Sequence, residues 1–213
     1  MPTSRSYGDA CGIARALDVV GERWALLVVR ELLLGPRRFS DLRRALPGAS
    51  SNLLTDRLRE LESRDVVHRR RLPPPAASVV YELTGAGRDL EAIVLALGGW
   101  GLRFPPPAQH PHLSATSVLL FLRGSRHPDP QAPPATYRFE LDDHVWTVVT
   151  RHGRVHIEPG EPVHPDAGLR TEPATLNALL DGSLSVAAAR RTGVAAVSGD
   201  VSALRRLLQT ASP

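Results

Sequence analysis

Apolar residues recur at helical spacing through the first half of the chain and alternate with polar ones in two later stretches. Ile13, Leu17 and Val20 predict a first helix ending at Gly21. Trp24, Leu27, Val28 and Leu32 predict a second, stopped by Gly35-Pro36. Ser40 is expected to cap a third, short helix with Leu42 and Leu46 inward. Ser50 is expected to cap a fourth, in which Leu54, Leu58 and Leu61 face the core with Leu53 beside them. The opposite face of that helix then carries Ser51, Asn52, Thr55, Asp56, Arg59 and Glu62. Residues 66–72 and 79–83 read as two strands joined by PPPAAS. Thr84 is placed to cap a last helix striped by Leu90, Ile93, Val94, Leu97 and Gly101, with Trp100 and Phe104 near the stripe.

After Pro105-Pro106-Pro107 the composition changes. Residues 113–122 predict a helix, and PDPQAPPA a loop. Tyr137, Phe139 and Leu141 alternate with Arg138, Glu140 and Asp142, as in a half-buried strand. Asp142-Asp143 turns the chain into a second strand, and Arg151-His152-Gly153 turns it into a third bearing Val155 and Ile157. Two helical pieces follow, one opened by Pro173 and closed by Gly182, the other running from Ser185 to Gly193. Residues 194–197 make a last strand, and Asp200 caps a terminal helix with Leu204, Leu207 and Leu208. A meander followed by helices implies an α+β layer. The expected organisation is a mainly α, winged helix-turn-helix domain over residues 1–104, a Pro-rich linker over 105–112, and an α+β domain over 113–213.

Charge adds direction. All 26 basic residues are arginine, a usage that together with the Ala and Pro content points to a G+C-rich coding sequence. Their placement is more informative. Residues 1–104 carry 16 arginines against 12 acids, and residues 105–213 carry 10 against 10. Between Arg37 and Arg71 ten arginines stand against five acids. That segment is a helix, a Pro47-Gly48 turn, a second helix and a basic strand, the geometry in which one helix enters a groove while arginines hold phosphates. Double-stranded DNA is the expected partner. Ser51, Asn52 and Thr55, in the N-terminal half of the second of these helices, suit base edges or phosphates, with Ser40 and Ser50 at the preceding helix starts. Arg57 and Arg59 are expected to reach the backbone, with Arg37 and Arg38 ahead of them. Arg69, Arg71 and the intervening Arg70 would ride on the wing. Solvated faces and a basic edge strand that resists aggregation are the plainer alternatives. The apolar stripe of the last helix exceeds the needs of a winged-helix core, so pairing with a second copy is expected.

Four stretches then carry a resemblance: Gly21-x-Arg23-Trp24, Arg38-Phe39-x-Asp41-Leu42, Leu54-x-x-Arg57-Leu58 and Tyr81-x-Leu83-Thr84. Together they resemble the HxlR-type winged-helix transcriptional regulators of bacteria over about residues 9–104. Ala49 stands where isoleucine is more usual. The resemblance implies a homodimer built on the first and last helices, and it carries over a family cysteine position to Cys11. The second half resembles the sterol-carrier-protein type of lipid-binding fold. It does so through the hairpin from Tyr137 to Trp146, Gly153-x-Val155, Thr175-Leu176, Leu180-x-Gly182 and Gly199-Asp200. This implies a cavity between sheet and helices for a hydrophobic small molecule, with Phe139, Trp146, Leu176 and Leu179 as candidate lining residues. The alternative is a filled core.

Cys11 is the single cysteine, which excludes an intrachain disulfide and points to a reducing compartment. A helix N-terminus and Arg15 would favour its thiolate. The expectation is a cytoplasmic protein, since no apolar run approaches a membrane span and the N-terminus lacks an apolar signal core. No cofactor, metal site or enzymatic activity is expected. The pairs His110/His112 and His152/His156 lack partners at ligand spacing, Gly85-Ala86-Gly87 opens a helix with Leu at position 90, and no nucleophile motif occurs. The leading reading is a repressor on a pseudo-palindromic operator, modulated by a hydrophobic ligand. Its rivals are a lipid carrier with a protein-docking winged helix and a thiol-based redox regulator using Cys11.

Overall fold

The computed structural model describes residues 6–73, 77–106, 112–126 and 128–209. The chain divides into two compact units, Met1–Pro105 and Pro106–Pro213. Most of the expected 105–112 linker, including His110, and the middle of PPPAAS lie outside the described residues.

The first unit runs α1 (Gly12–Val20), α2 (Ala25–Leu32), α3 (Phe39–Ala45), α4 (Ser51–Ser63), β1 (Val67–Arg71), β2 (Val79–Leu83), α5 (Gly85–Asp89) and α6 (Glu91–Gly101). Val28 and Val29 of α2, Leu42 of α3, and Leu54 and Leu61 of α4 are wholly excluded from solvent, with Leu58, Val67 and Leu83 closing the cluster. Val28, Leu42, Leu54, Leu58 and Leu61 are positions the apolar spacing predicts, whereas Leu27, also expected on the stripe of α2, is exposed and Val29 takes its place inside. Burying one such side chain is worth about 1.5–3 kcal/mol.

The helix ends show the local causes. Gly21 ends α1 with its N–H donating to Leu17 O at 2.8 Å, and a Cβ there would lie 2.5 Å from that oxygen. Ser50 caps α4 as expected, its Oγ accepting from Leu53 N–H at 3.2 Å. Ser40 does not cap α3. The helix starts two residues earlier, with Arg38 in the cap position, and the Asp41 carboxylate accepts the Arg38 N–H at 3.2 Å, a charged acceptor one turn in. The expected last helix is two pieces that meet at Leu90. Gly87 is required in the first of these, because a Cβ would sit 2.1 Å from Val66 O at the base of the wing. Strands β1 and β2 pair antiparallel from Val67↔Leu83 to Arg71↔Val79, and a single bridge Arg37↔Tyr81 adds a third segment.

The second unit runs α7 (Ala115–Ser125), β3 (Ala135–Leu141), β4 (His144–Arg151), β5 (Arg154–Pro159), β6 (Ala167–Thr171), α8 (Pro173–Leu180), α9 (Val186–Arg191), β7 (Ala195–Gly199) and α10 (Val201–Gln209). Its sheet order is β5-β4-β3-β6-β7. The expected meander is present as β3, β4 and β5, with Asp142 and Asp143 at φ 49° and 61° in a tight turn. Strand β6, which no alternation in the sequence announces, pairs parallel with β3 and so makes the sheet mixed. Ala167 and Gly168 have little strand propensity. Gly168 is there for clearance, since a Cβ would meet Ser198 Oγ of β7 at 2.5 Å. Phe139, Leu141, Trp146, Leu169, Leu176 and Leu204 form the largest part of a core between sheet and helices. The result is a winged helix-turn-helix unit followed by an α+β unit.

Candidate nucleic-acid interface

Helix α4 turns its leucines inward, so Asn52, Asp56, Arg59 and Glu62 are exposed and Ser51 and Thr55 half-exposed. Asn52 is the polar side chain of the first turn that stands in solvent. Ser51 Oγ accepts a 2.8 Å bond from Arg43 Nη1, which ties the end of α3 to the start of α4. Thr55 Oγ1 donates to Ser51 O at 2.8 Å, and Ser50 is engaged as the cap. These three hydroxyls are therefore partly committed to shaping the helix rather than projecting from it. Arg59 is exposed, 3.8 Å from Asp56.

The arginines separate into two groups. Arg38, Arg59, Arg69 and Arg71 are exposed, with Ser40 beside Arg38. Arg57 is not available to DNA: its side chain is buried, ion-paired with Glu60 and 3.6 Å from Glu22. The expectation that it reaches the backbone is overturned, because position 57 falls on the same face as Leu54, Leu58 and Leu61. Arg37 is also drawn inward. Its backbone bridges to Tyr81, and burial pushes its guanidinium below the ordinary arginine value while Glu31 and Asp41 oppose that shift. Arg70 is exposed but held by Glu82 through two bonds, Nε to Oε1 at 2.8 Å and Nη2 to Oε2 at 2.9 Å. The same carboxylate takes His68 Nε2 at 2.7 Å, and Arg70 first, then His68, hold it below the usual carboxylate range. Sequence reasoning passed over Arg43 and Arg44, which are exposed in the last turn of α3; the Arg-Arg pair closing a helix that faces α4 was the available signal.

The loop between α1 and α2 holds this unit in place. Trp24 begins α2 with φ at 78°, a left-handed conformation that costs a bulky residue about 1–2 kcal/mol. Its ring lies over the Pro47-Gly48 turn, and the Arg23 guanidinium sits 5.7 Å from the ring centroid. Along the outside of the unit, Ile13 and Leu17 of α1 and Ile93, Leu97 and Trp100 of α6 are exposed, and α6 has no buried residue. Trp100 and Phe104 stack edge-on at 4.8 Å.

Cys11 is exposed at the start of α1. Its thiol is lowered by the N–H groups of Ile13 and then Ala14 at the start of the helix. In the second unit Phe139, Trp146, Leu176 and Leu179 are at most 4% exposed and belong to its core. Among the described residues that unit has a polar cleft of about 540 Å³ lined by Glu140, Asp142, Arg170 and Glu172, and a more apolar one of about 340 Å³ between the loop at Pro128–Pro133 and α10, walled by Tyr137, Thr150, Arg206 and Leu207. Among the described residues no group of three or more His, Cys, Asp or Glu is placed to hold a metal ion, and no helix is long and apolar enough to cross a membrane.

A helix-turn-helix whose second helix presents a polar face beside a basic two-stranded wing defines a winged-helix, DNA-binding regulator of transcription. Comparison with known proteins narrows the class. Residues 19–109 match the HxlR-like helix-turn-helix family, and residues 131–212 match the SCP-2 sterol transfer family. An uncharacterized HTH-type transcriptional regulator of Synechocystis is 39% identical over 90 residues, covering 42% of this chain and 67% of its own length. The HTH-type transcriptional regulator YodB of Bacillus subtilis is 35% identical over 92 residues, covering 43% of this chain and 82% of its own. Among solved structures, the redox regulator HypR in its oxidized form is 36% identical with a TM-score of 0.43, covering 46% of this chain and 100% of that one. The chain belongs to the HxlR-like helix-turn-helix family, here joined to a sterol-carrier-like domain.

Proposed function

We propose that the protein is a homodimeric repressor that reads a pseudo-palindromic operator with α4. The observation that carries this reading is the exposed Asn52 at the first turn of α4, flanked by exposed Arg38 and Arg59 and by Arg69 and Arg71 on the wing. Asn52 reads a base edge, adenine being the geometric match for a bidentate amide. The arginines contact phosphates and set register. Dimerisation uses the exposed apolar faces of α1 and α6, and two-fold pairing sets recognition helices about 34 Å apart, matching half-sites one turn apart. Occupancy of a promoter by such a dimer excludes polymerase, hence repression. In the second unit the cleft beside α10 takes an apolar or amphipathic molecule, being within the volume range of about 300–1,000 Å³ typical of ligand sites. Ligand weakens DNA binding if it favours the DNA-incompetent arrangement.

The test is binding of the purified protein to its own upstream intergenic DNA against a scrambled duplex at two salt concentrations. Tight, selective binding that weakens with a log–log slope of about −0.9 per phosphate contact supports the reading. No binding at low salt sinks it in favour of a lipid carrier whose winged helix docks protein.

A second reading rests on Cys11, exposed and shifted toward thiolate by the amino end of α1. Here the switch is oxidation of that thiol, by a bridge between subunits or a reversible cap. Cys11→Ser abolishes regulation by oxidant under this reading and leaves regulation by a lipid ligand intact.

A further inference from the structure

A tryptophan in left-handed conformation is a backbone outlier that the surrounding structure must hold in place, and such outliers point to a functional constraint. Trp24 is the only bulky aromatic residue among the described positive-φ residues. Its side chain is half-buried against the core cluster, and the far edge of its indole reaches past that cluster to the turn before α4. A Cβ built on Gly48 would lie 2.7 Å from Cη2 and 3.2 Å from Cζ2 of Trp24. Gly48 itself is not in the left-handed region, so its backbone would accept alanine; the ring alone excludes a side chain there. Gly48 belongs to the turn that delivers the chain to Ser50, the cap of α4, through buried Ala49. The same short loop makes a second contact with α4: Glu22, two residues before Trp24, is 3.6 Å from the buried Arg57. Residues 21–24 therefore hold the recognition helix at its entry turn and again near its middle.

We propose that Trp24 is a positioning residue for DNA reading: its ring, wedged against the Gly48 turn, sets the path on which the chain enters α4 and so the register of Asn52 against base edges. The inference rests on the reading of α4 as the base-reading helix. It also gives Gly48 and Trp24 one shared reason, a ring-on-backbone contact that only a glycine permits. A tryptophan that merely filled the core would affect stability and leave base preference untouched.

The experiment uses the full-length protein and a duplex selected by the wild type from a random pool, with a scrambled duplex as reference. Gly48→Ala pushes the turn away from the ring. It is expected to lower discrimination between the two duplexes at least roughly tenfold, the scale of one base contact. The salt slope should hold, and amide exchange should quicken over residues 51–55. Adding Trp24→Phe, which shortens the ring, should restore both discrimination and slow exchange. Folded Gly48→Ala with wild-type discrimination overturns the proposal, and so does a double variant no better than Gly48→Ala alone. Should Gly48→Ala not fold, Trp24→Phe alone carries the test: it withdraws the contact and must lower discrimination at constant salt slope, and unchanged discrimination overturns the idea. A wild type that selects no sequence would instead sink the regulator reading, while the exchange arm would still decide whether ring and turn are coupled.

Discussion

Helices α6 and α10 are both apolar-striped and both close their units, yet they end in opposite situations. In α10, Ala203, Leu204, Leu207 and Leu208 are all buried beneath the sheet and its neighbouring helices. In α6, Ile93, Leu97 and Trp100 remain between 47% and 55% exposed. The second unit buries its closing helix within one chain; the first leaves an apolar face of α6 uncovered. Scattered exposed leucines need no explanation, but a continuous stripe with an aromatic pair on it marks an interaction surface. The contrast teaches that a helix's apolar pattern predicts that it will be covered, and only the rest of the fold decides by what.

The largest effect should come from charging the α6 face. Ile93→Glu with Trp100→Glu should leave the monomer fold intact, convert a dimer to monomer in sedimentation, and weaken operator binding roughly a hundredfold or more as avidity is lost. Retention of a dimer would return α6 to a bare surface helix. Next, Leu176→Ala in the second unit should cost about 2–5 kcal/mol in chemical unfolding, as a fully buried leucine does. DNA binding by the first unit should survive it. Asn52→Ala should then lose about 1–3 kcal/mol of discrimination at one base position, read by competition with single-base variants. Smaller still is the difference within the wing. Removing Arg69 should weaken all sequences alike and flatten the salt slope, whereas removing Arg70 should do less, because Glu82 already holds it. Equal effects would mean the Arg70–Glu82 pair opens on DNA.

The smallest effect is in pH. Glu82 is held below its ordinary carboxylate range by Arg70 and His68, so the folded state favours its ionised form. Its contribution is fully present above the unfolded carboxylate value of about 4.3 and is lost as pH falls through the lower folded value. Glu82→Gln should remove that part of the acid-side slope in thermal unfolding. An unchanged slope would assign it to other carboxylates.

Much of this was readable in the residues. Leu54, Leu58 and Leu61 fixed the orientation of α4 by spacing alone, and the Ser50 and Thr84 caps were placed by residue type. Strand β6 was not readable, because Gly168 serves clearance with β7, a constraint set by a strand far away in sequence. The arginines misled for a related reason. Spacing places Arg57 beside Leu54 and Leu58, but charge argues for solvent, and only Glu22 and Glu60 arriving together explain why it stays buried. For the candidate cavity residues the inward direction was legible, as Phe139 and Trp146 show, but whether an inward face encloses space depends on how its neighbours fill it, which no local pattern carries.

The inward commitment of Arg37 and Arg57, and the pairing of Arg70, reach beyond the interface into the conditions under which the protein can work. Each phosphate contact forgone makes affinity less sensitive to ionic strength by about 0.9 on a log–log scale, so three fewer contacts per protomer spare roughly a sixfold loss whenever salt doubles. The segment from Arg37 to Arg71 holds ten arginines, and if all of them met phosphate the salt slope would be correspondingly steeper. On the proposed reading, with part of that charge met by the protein's own carboxylates, binding to DNA should fall less steeply as the surrounding ionic strength rises.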